Sequence, residues 1–281
     1  TRPPEQRVGV YALDVYDIFD AARAVTDHLR EVDPAAARQV AGHYRCLRRY
    51  ETTDAYAEAI MSGDRGCQKQ AQAALDVVAA LPKTGGAEER FAIERAAATV
   101  VGGEEYFRVQ IETGYSWNAR DRRMAQAARQ ISQHVAGPVV IWAHNTHVGD
   151  ARHTSQRDQG ELSLGQLLRE EGGAFLLGFL TAGGTVLAGD HWGDRARRHT
   201  LQAPLPSSHE AELAARPGAR QVWLHNPAAR AGRRLQRAVG VIYSRREREA
   251  HYIEAEPERQ FDALVFIRET SALTALPRAR R

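Results

Sequence analysis

Two histidines three residues apart, His144 and His147, stand in the segment Ala143-His144-Asn145-Thr146-His147-Val148-Gly149-Asp150, directly after the apolar run Val139-Val140-Ile141-Trp142. Imidazole changes charge near neutral pH. Such a pair can take a proton from water, return one to a leaving group, or ligate a metal. A short continuous apolar run that follows Gly137-Pro138 predicts a strand covered on both faces. In open α/β sheets, ligands sit in the crevice beyond the carboxyl ends of strands, and a loop leaving a strand there can aim two rings into one pocket. The competing reading is local, with one histidine capping a helix and the other bonding backbone. The clustering of both with Asn145 at a strand exit favours chemistry. His144 and His147 are therefore the catalytic candidates, and Asn145 is a candidate substrate contact.

Two further clusters pose the same choice. Asn118-Ala119-Arg120-Asp121 opens a helical pattern. It reads either as an N-cap, with Asp121 complementing the helix dipole, or as a setting that aims Arg120 at a substrate carboxylate or oxyanion. The residues alone favour the cap. In Ser207-Ser208-His209-Glu210, Ser207 and Glu210 match a capping box, and Glu210 is carried as a second candidate substrate contact. No metal and no cofactor is expected, because a catalytic zinc site typically has about three protein ligands. His153 and Asp150 are near the two histidines in sequence only. The chain has no Gly-x-Ser-x-Gly elbow, no phosphate-binding glycine loop and no His-Glu-x-x-His helix.

The elements that must hold these residues divide the 281-residue chain into two kinds of pattern. Residues 15–136 read as mainly helical. Ile18, Ala22, Val25 and Leu29 recur on one helix face, and Asp33-Pro34 starts a second helix with Ala37, Val40, Tyr44 and Leu47 inward. A third carries Cys67, Ala71, Leu75 and Val78, a fourth runs from Phe91 to Ile111, and a fifth starts at Asn118 and buries Met124, Ala128, Ile131 and Val135. Residues 137–281 read as α/β. Ser163 to Glu170 is a short helix, and Ala174 to Leu180 a buried strand. Gly183-Gly184 is a hairpin turn into Thr185–Ala188, and Gln221–Leu224, Val239–Tyr243 and Ala263–Ile267 are further strands. The expected fold is α/β, a mixed sheet with flanking helices and a helical insertion forming most of the N-terminal half, all within one domain.

A hydrophobic fraction of 43% supports a real core, and no run approaches the roughly 18 apolar residues of a membrane span. The net charge of +3 is spread out, and the densest basic cluster (Arg230, Arg233, Arg234, Arg237, Arg245, Arg246, Arg248) has no aromatic platform for bases. Neither nucleic acid nor membrane is an expected partner, and the expected location is the cytoplasm. Cys46 and Cys67 form no Cys-x-x-Cys pair, so no disulfide framework is expected and Cys67 reads as a small buried hydrophobe.

Ile141-Trp142-Ala143-His144-Asn145-Thr146-His147 resembles the Trp-Ala-His-Asn-x-His segment of erythromycin esterase-like proteins. Further blocks agree in order. Leu13-Asp14-Val15-Tyr16 resembles Leu-Asp-x-Tyr, and Asn118 through Ala125 resembles the family's Asn-x-Arg-Asp-x-x-Met-Ala helix. Gly160 through Arg169, Gly178-Phe179-Leu180-Thr181, Leu235 to Tyr243 and Gln260 to Leu276 resemble the remaining stretches. The resemblance implies hydrolysis of an ester or macrolactone by base-activated water, with antibiotic inactivation as the biological setting. It also implies that His144, His147 and Arg120 are site residues. Two departures stand out. The family's opening Gly-Glu-x-x-His-Gly segment, with its supposed base, has no counterpart in this sequence, and Arg268 occupies a place where an acidic residue is expected. The alternative expectation is therefore a truncated, non-catalytic binding or vestigial domain that keeps the pocket without the general base.

Overall fold

The computed structural model describes residues 8–50, 52–82, 86–113, 115–217, 220–224 and 232–274. Arg230 and the basic tail around Pro277 lie outside them. The chain forms two compact units, Thr1–Val140 and Ile141–Arg281.

The first unit is helical: α1 (Ile18–Val32), α2 (Pro34–His43), a 3₁₀ turn (Tyr44–Arg49), α3 (Thr53–Met61), α4 (Gln68–Ala79), α5 (Ala87–Thr113) and α6 (Trp117–Val135). The apolar spacing does what it predicts. Ile18, Val25 and Leu29 of α1 are fully buried and share one core with Val40, Tyr56, Ala74, Ala97 and Val100. Asp33 accepts hydrogen bonds from the Ala35 and Ala36 N–H groups at 3.0 Å each, with Pro34 at the first helical position. That pairing satisfies two of the donors every helix start leaves over. Three local details differ from expectation. α3 is an unanticipated helix, capped by Thr52 and burying Tyr56 and Ile60. α6 begins at Trp117 rather than Asn118, with no side-chain cap from Ser116. At the far end of α6, Val135 is exposed because the left-handed Ala136 ends the helix there.

The cysteines are not independent. Cys46, in the 3₁₀ turn, is bonded to Cys67, just before α4, with Cα atoms 5.9 Å apart and a sequence separation of 21. The bridge closes the loop that carries α3. Disulfides persist most readily in oxidising compartments. No helix among the described residues is long and apolar enough to cross a membrane.

The second unit is α/β: α7 (Asn145–Val148), α8 (Leu164–Glu170), β1 (Leu177–Ala188), β2 (Arg197–Thr200), α9 (His209–Ala215), β3 (Arg220–Leu224), β4 (Arg234–Arg237), β5 (Tyr252–Ala255), α10 (Pro257–Gln260) and β6 (Ala263–Thr270). Four strands form a mixed sheet in the order β2-β1-β6-β3. β1 runs parallel to β6, and β2 and β3 run antiparallel to their neighbours. A separate antiparallel pair joins β4 to β5.

Burial alternates along β1. Gly178, Leu180 and Ala182 face a core with Phe261, Leu213 and Phe266, whereas Leu177 and Phe179 are exposed. Only one face of this stretch is therefore covered among the described residues, not both. Val139–Trp142 forms no strand, and Val140 and Trp142 are each 90% exposed. Gly183-Gly184 is no hairpin: β1 continues through it, because Gly184, at φ +99°, lets β6 approach so closely that a Cβ would sit 2.0 Å from the Thr270 carbonyl oxygen. The turn into β2 comes later, after Ala188. Val239–Tyr243 is also not a strand; β4 lies just before it, and its Ile242 makes only an isolated bridge to Gly189.

Several arginines of the basic cluster are spoken for. Arg233 pairs with Asp158, Arg234 with Glu212, and Arg237 is buried. Arg268, where an acid was expected, donates to the Ala214 and Arg216 carbonyls at the end of α9, a favourable place for a cation.

Reducing the Cys46–Cys67 bridge restores the freedom of that loop in the unfolded chain, an effect of about 3 kcal/mol for a loop of this length. Urea denaturation with and without a phosphine reductant should show a lower midpoint in the reduced protein. Coincident curves would mean the bridge adds nothing.

Candidate active site

Residues 141–143 belong to no helix or strand, His144 is extended, and the chain then makes the single helical turn α7, for which His144 is the N-cap. The Thr146 N–H donates to His144 Nδ1 at 3.3 Å, and Thr146 Oγ1 lies 2.8 Å from the same nitrogen. His144 Nε2 lies 3.1 Å from the Val239 carbonyl oxygen. A carbonyl only accepts, so the proton belongs on Nε2 and Nδ1 is the acceptor. Burial, and next the nearby His147, push the His144 pKa below the ordinary histidine value; the Val239 carbonyl works the other way. His144 is thus an uncharged imidazole in one defined tautomer near pH 7. His147 follows one turn on and is itself buried.

Asn145 turns the other way. Its Nδ2 donates to the Phe179 carbonyl at 2.6 Å, and its Oδ1 accepts the Phe179 N–H at 3.2 Å. The amide bonds β1 as a neighbouring strand would, which fixes the loop to the sheet.

The end of the loop is set by Asp150, whose side chain is fully buried. Arg152 grips it with two bonds, Nε to Oδ1 at 2.9 Å and Nη2 to Oδ2 at 2.7 Å, and Arg169 from α8 adds a third at 3.1 Å. Burial alone would raise the Asp150 pKa; the two arginines outweigh it and hold the carboxylate below its ordinary value. Ser163, the N-cap of α8, donates to the Gly149 carbonyl and accepts from the Ala151 N–H. Gly165 is needed beside it, since a Cβ there would lie 1.9 Å from the Val148 carbonyl oxygen.

Glu210 is fully buried as the second residue of α9, whose cap is Ser208 rather than Ser207, so the capping-box spacing does not apply. Its Oε1 accepts the Arg237 N–H at 2.9 Å, and burial raises its pKa. In this position the carboxylate fastens α9 to β4. The Arg237 guanidinium is likewise internal, donating to the Thr181, Ala182 and Gln202 carbonyls and to the Tyr252 hydroxyl.

Arg120 belongs to the helical unit. It makes a two-pronged bond to Asp14, at 2.9 and 2.7 Å, and its guanidinium carbon lies 4.5 Å from the centre of the Tyr16 ring. The Tyr16 hydroxyl is 2.9 Å from that of Tyr106. Among the described residues no three His, Cys, Asp or Glu side chains converge to hold a metal ion. The structure therefore joins His144 to His147, and separately Arg120 to Asp14 and Tyr16. Sequence reasoning named neither Asp14 nor Asp150 as a partner, although Asp14 and Arg120 lie in two blocks of the resemblance.

A model of the erythromycin esterase family matches residues 1–270. The chain belongs to the erythromycin esterase family. Solved structures agree on the fold at low identity. A succinoglycan biosynthesis protein is similar at 16% identity with a TM-score of 0.70, over 95% of this chain and 66% of its own. A Bacillus cereus protein is similar at 14% with a TM-score of 0.76, over 96% and 68%. A mutant of the erythromycin esterase EreC, in its open conformation, is similar at 17% with a TM-score of 0.63, over 94% and 69%. The chain thus spans about two thirds of the length of each. In this erythromycin esterase-family chain the histidine loop, the Asp14 block and the Arg120 helix are all present and ordered.

Replacing Asp150 with Asn should cost about 3 kcal/mol, since it leaves two cations facing a neutral group at a buried site. Arg152→Gln should cost less, because that side chain is 42% exposed. Urea denaturation measures both, and an Asp150→Asn cost below that of Arg152→Gln contradicts the assignment.

A second expectation concerns pH. His144 and His209 both have pKa values lowered by burial from 6.5. The unfolded chain binds their protons first, so the native state loses stability as the pH falls from about 6.5 through the lowered values. A denaturation midpoint that rises between pH 7 and 5.5 would contradict it.

Proposed function

We propose that this chain is the pocket-bearing part of a hydrolase that splits an ester or macrolactone bond with water, His144 and His147 handling the protons. The observation that carries the reading is the neutral His144 imidazole, fixed as its Nε2–H tautomer and standing beside a second imidazole on the same loop. Water that takes the place of the Thr146 hydroxyl at Nδ1 can give its proton to that nitrogen while its oxygen attacks the carbonyl carbon. The Val239 carbonyl then steadies the imidazolium through Nε2–H. Collapse of the tetrahedral intermediate breaks the carbon–oxygen bond, and the proton passes to the leaving alkoxide from His144 or by way of His147. Family membership supports a macrolactone as the substrate and antibiotic inactivation as the outcome.

The other candidates take different parts in this reading. Asn145 is committed to Phe179 and serves by positioning the loop. Glu210, being fully buried, serves α9 and β4. Arg120 stays a candidate substrate contact, and a substrate carboxylate or oxyanion would compete there with Asp14. One observation favours a second reading, a pocket that binds without catalysing: both nitrogens of His144 already have protein partners.

The experiment measures hydrolysis of erythromycin and of p-nitrophenyl butyrate by the wild type, His144→Gln and His147→Ala. Loss of a positioned base should cut kcat/KM by roughly 10²–10⁴-fold, with denaturation midpoints checked in parallel. Wild-type kcat/KM should fall on the acid side through an apparent pKa below 6.5, the ordinary value from which His144 is lowered. Arg120→Lys should act mainly on KM. Turnover that survives both histidine substitutions would overturn the proposal, and saturable erythromycin binding without any turnover would establish the second reading.

A further inference from the structure

The helical unit contains a cleft of about 490 Å³, walled by α4, α5 and α6, that the hydrolase reading does not use. Its size falls in the ordinary range for small-molecule sites, roughly 300–1,000 Å³. Its lining mixes apolar side chains, Val15, Leu75 and Ala79 among them, with Arg95 and Arg123.

Arg95 is the unusual member. The neighbouring arginines each have a carboxylate. Arg90 bonds Glu94, Arg123 bonds Glu105, and Arg108 lies beside Glu104. Arg95 has none among the described residues. Its Nη1 donates to the neutral Gln130 Oε1 at 2.7 Å, and its Nε is buried with no hydrogen-bond partner. A buried donor left unmade is costly, and a desolvated cation without a counter-ion more so. Burial, and next the charge of Arg123, lower the Arg95 pKa, which is the electrostatic signature of two cations sharing one space. An anion in the cleft would offset the positive charge that Arg95 and Arg123 bring to it, while the apolar part of the lining would welcome hydrocarbon.

We propose that this cleft binds an amphipathic monocarboxylate, its carboxylate on Arg95 and its apolar body against Val15, Leu75 and Ala79. The geometry suits a single carboxylate better than a polyanion, because Glu94 also lines the cleft and Arg123 is already paired with Glu105. Arginine offers a carboxylate a planar fork of donors, which a lysine could not reproduce. The site lies wholly within the helical unit and does not depend on the chain being a hydrolase.

The test uses the full chain and octanoate as the probe, with binding followed by calorimetry and by the rise in Tm that ligand binding to the native state produces. Octanoate should bind saturably, whereas octanol and inorganic phosphate, each lacking one half of the recognition, should bind at least about tenfold more weakly, the scale of one charge-assisted bond or a few buried methylenes. Arg95→Gln should weaken octanoate by a similar factor and leave octanol unchanged. Ala79→Trp, which adds bulk at an exposed lining residue on a different helix from Arg95, should abolish binding in a protein of normal Tm and keeps the proposal testable if Arg95→Gln fails to fold. No saturable octanoate binding to the wild type, equal affinity for octanol, equal affinity for phosphate, or undiminished binding by Ala79→Trp would each overturn it.

Discussion

A carboxylate with no access to water sits at the end of the histidine loop, and the α/β unit is organised around keeping it charged. Asp150 has Arg152 on one side and Arg169 on the other. Arg169 also reaches Asp262 and the Arg259 and Gln260 carbonyls, Asp262 in turn takes the Leu176 N–H, and the Asp150 N–H donates to the Gln260 carbonyl. One ion cluster thus fastens the loop, α8, the approach to β6 and the approach to β1. Buried pairs of this kind add little net stability over an apolar substitute, but they penalise every arrangement in which a charge is left alone. That penalty holds Asp150, and with it the end of the 144–150 segment, in place, while the Val239 carbonyl sets the tautomer of His144 at the other end.

The helical unit uses the same device at smaller scale. Asp14 and Tyr16 come from the chain before α1, Arg120 from α6, and the fork of one arginine joins them face and edge. The contact spans 106 residues of sequence. It also sets the terms on which Arg120 could meet a ligand, because an incoming carboxylate gains only what it offers beyond Asp14.

Legibility in the sequence follows the range of the interaction. Helices whose apolar residues repeat every three or four positions, such as Ile18 to Leu29, are readable because the pattern itself specifies the buried face. α3 escaped notice because Tyr56 and Ile60 give it one repeat only. The mixed sheet was foreseeable from Ala174–Leu180 and Ala263–Ile267, yet the Gly183-Gly184 pair reads locally as a turn. Only β6, approaching from 86 residues away at the Gly184–Thr270 register, decides that it is a continuous strand. Val139–Trp142 misleads for a related reason, since apolarity marks a strand only where a partner supplies its hydrogen bonds. Within the candidate site, the two histidines stand out by their spacing. Asp14 does not, because nothing near it in sequence needs a carboxylate, and Glu210 reads as a cap although its work is to hold the Arg237 N–H.

The amide of Asn145 has a consequence beyond holding a loop. Phe179 points its N–H and C=O away from β6, and a strand with such free groups is a template on which another chain can pair and aggregate. Asn145 occupies both groups with a side chain that is chemically a peptide unit but cannot propagate, since it has no further residues to extend the ladder. A strand from a second molecule would have to expel it at Phe179 before pairing there. The residue therefore acts as a stopper against templated self-association, at the very position where exposed Phe175, Leu177 and Phe179 would otherwise invite it.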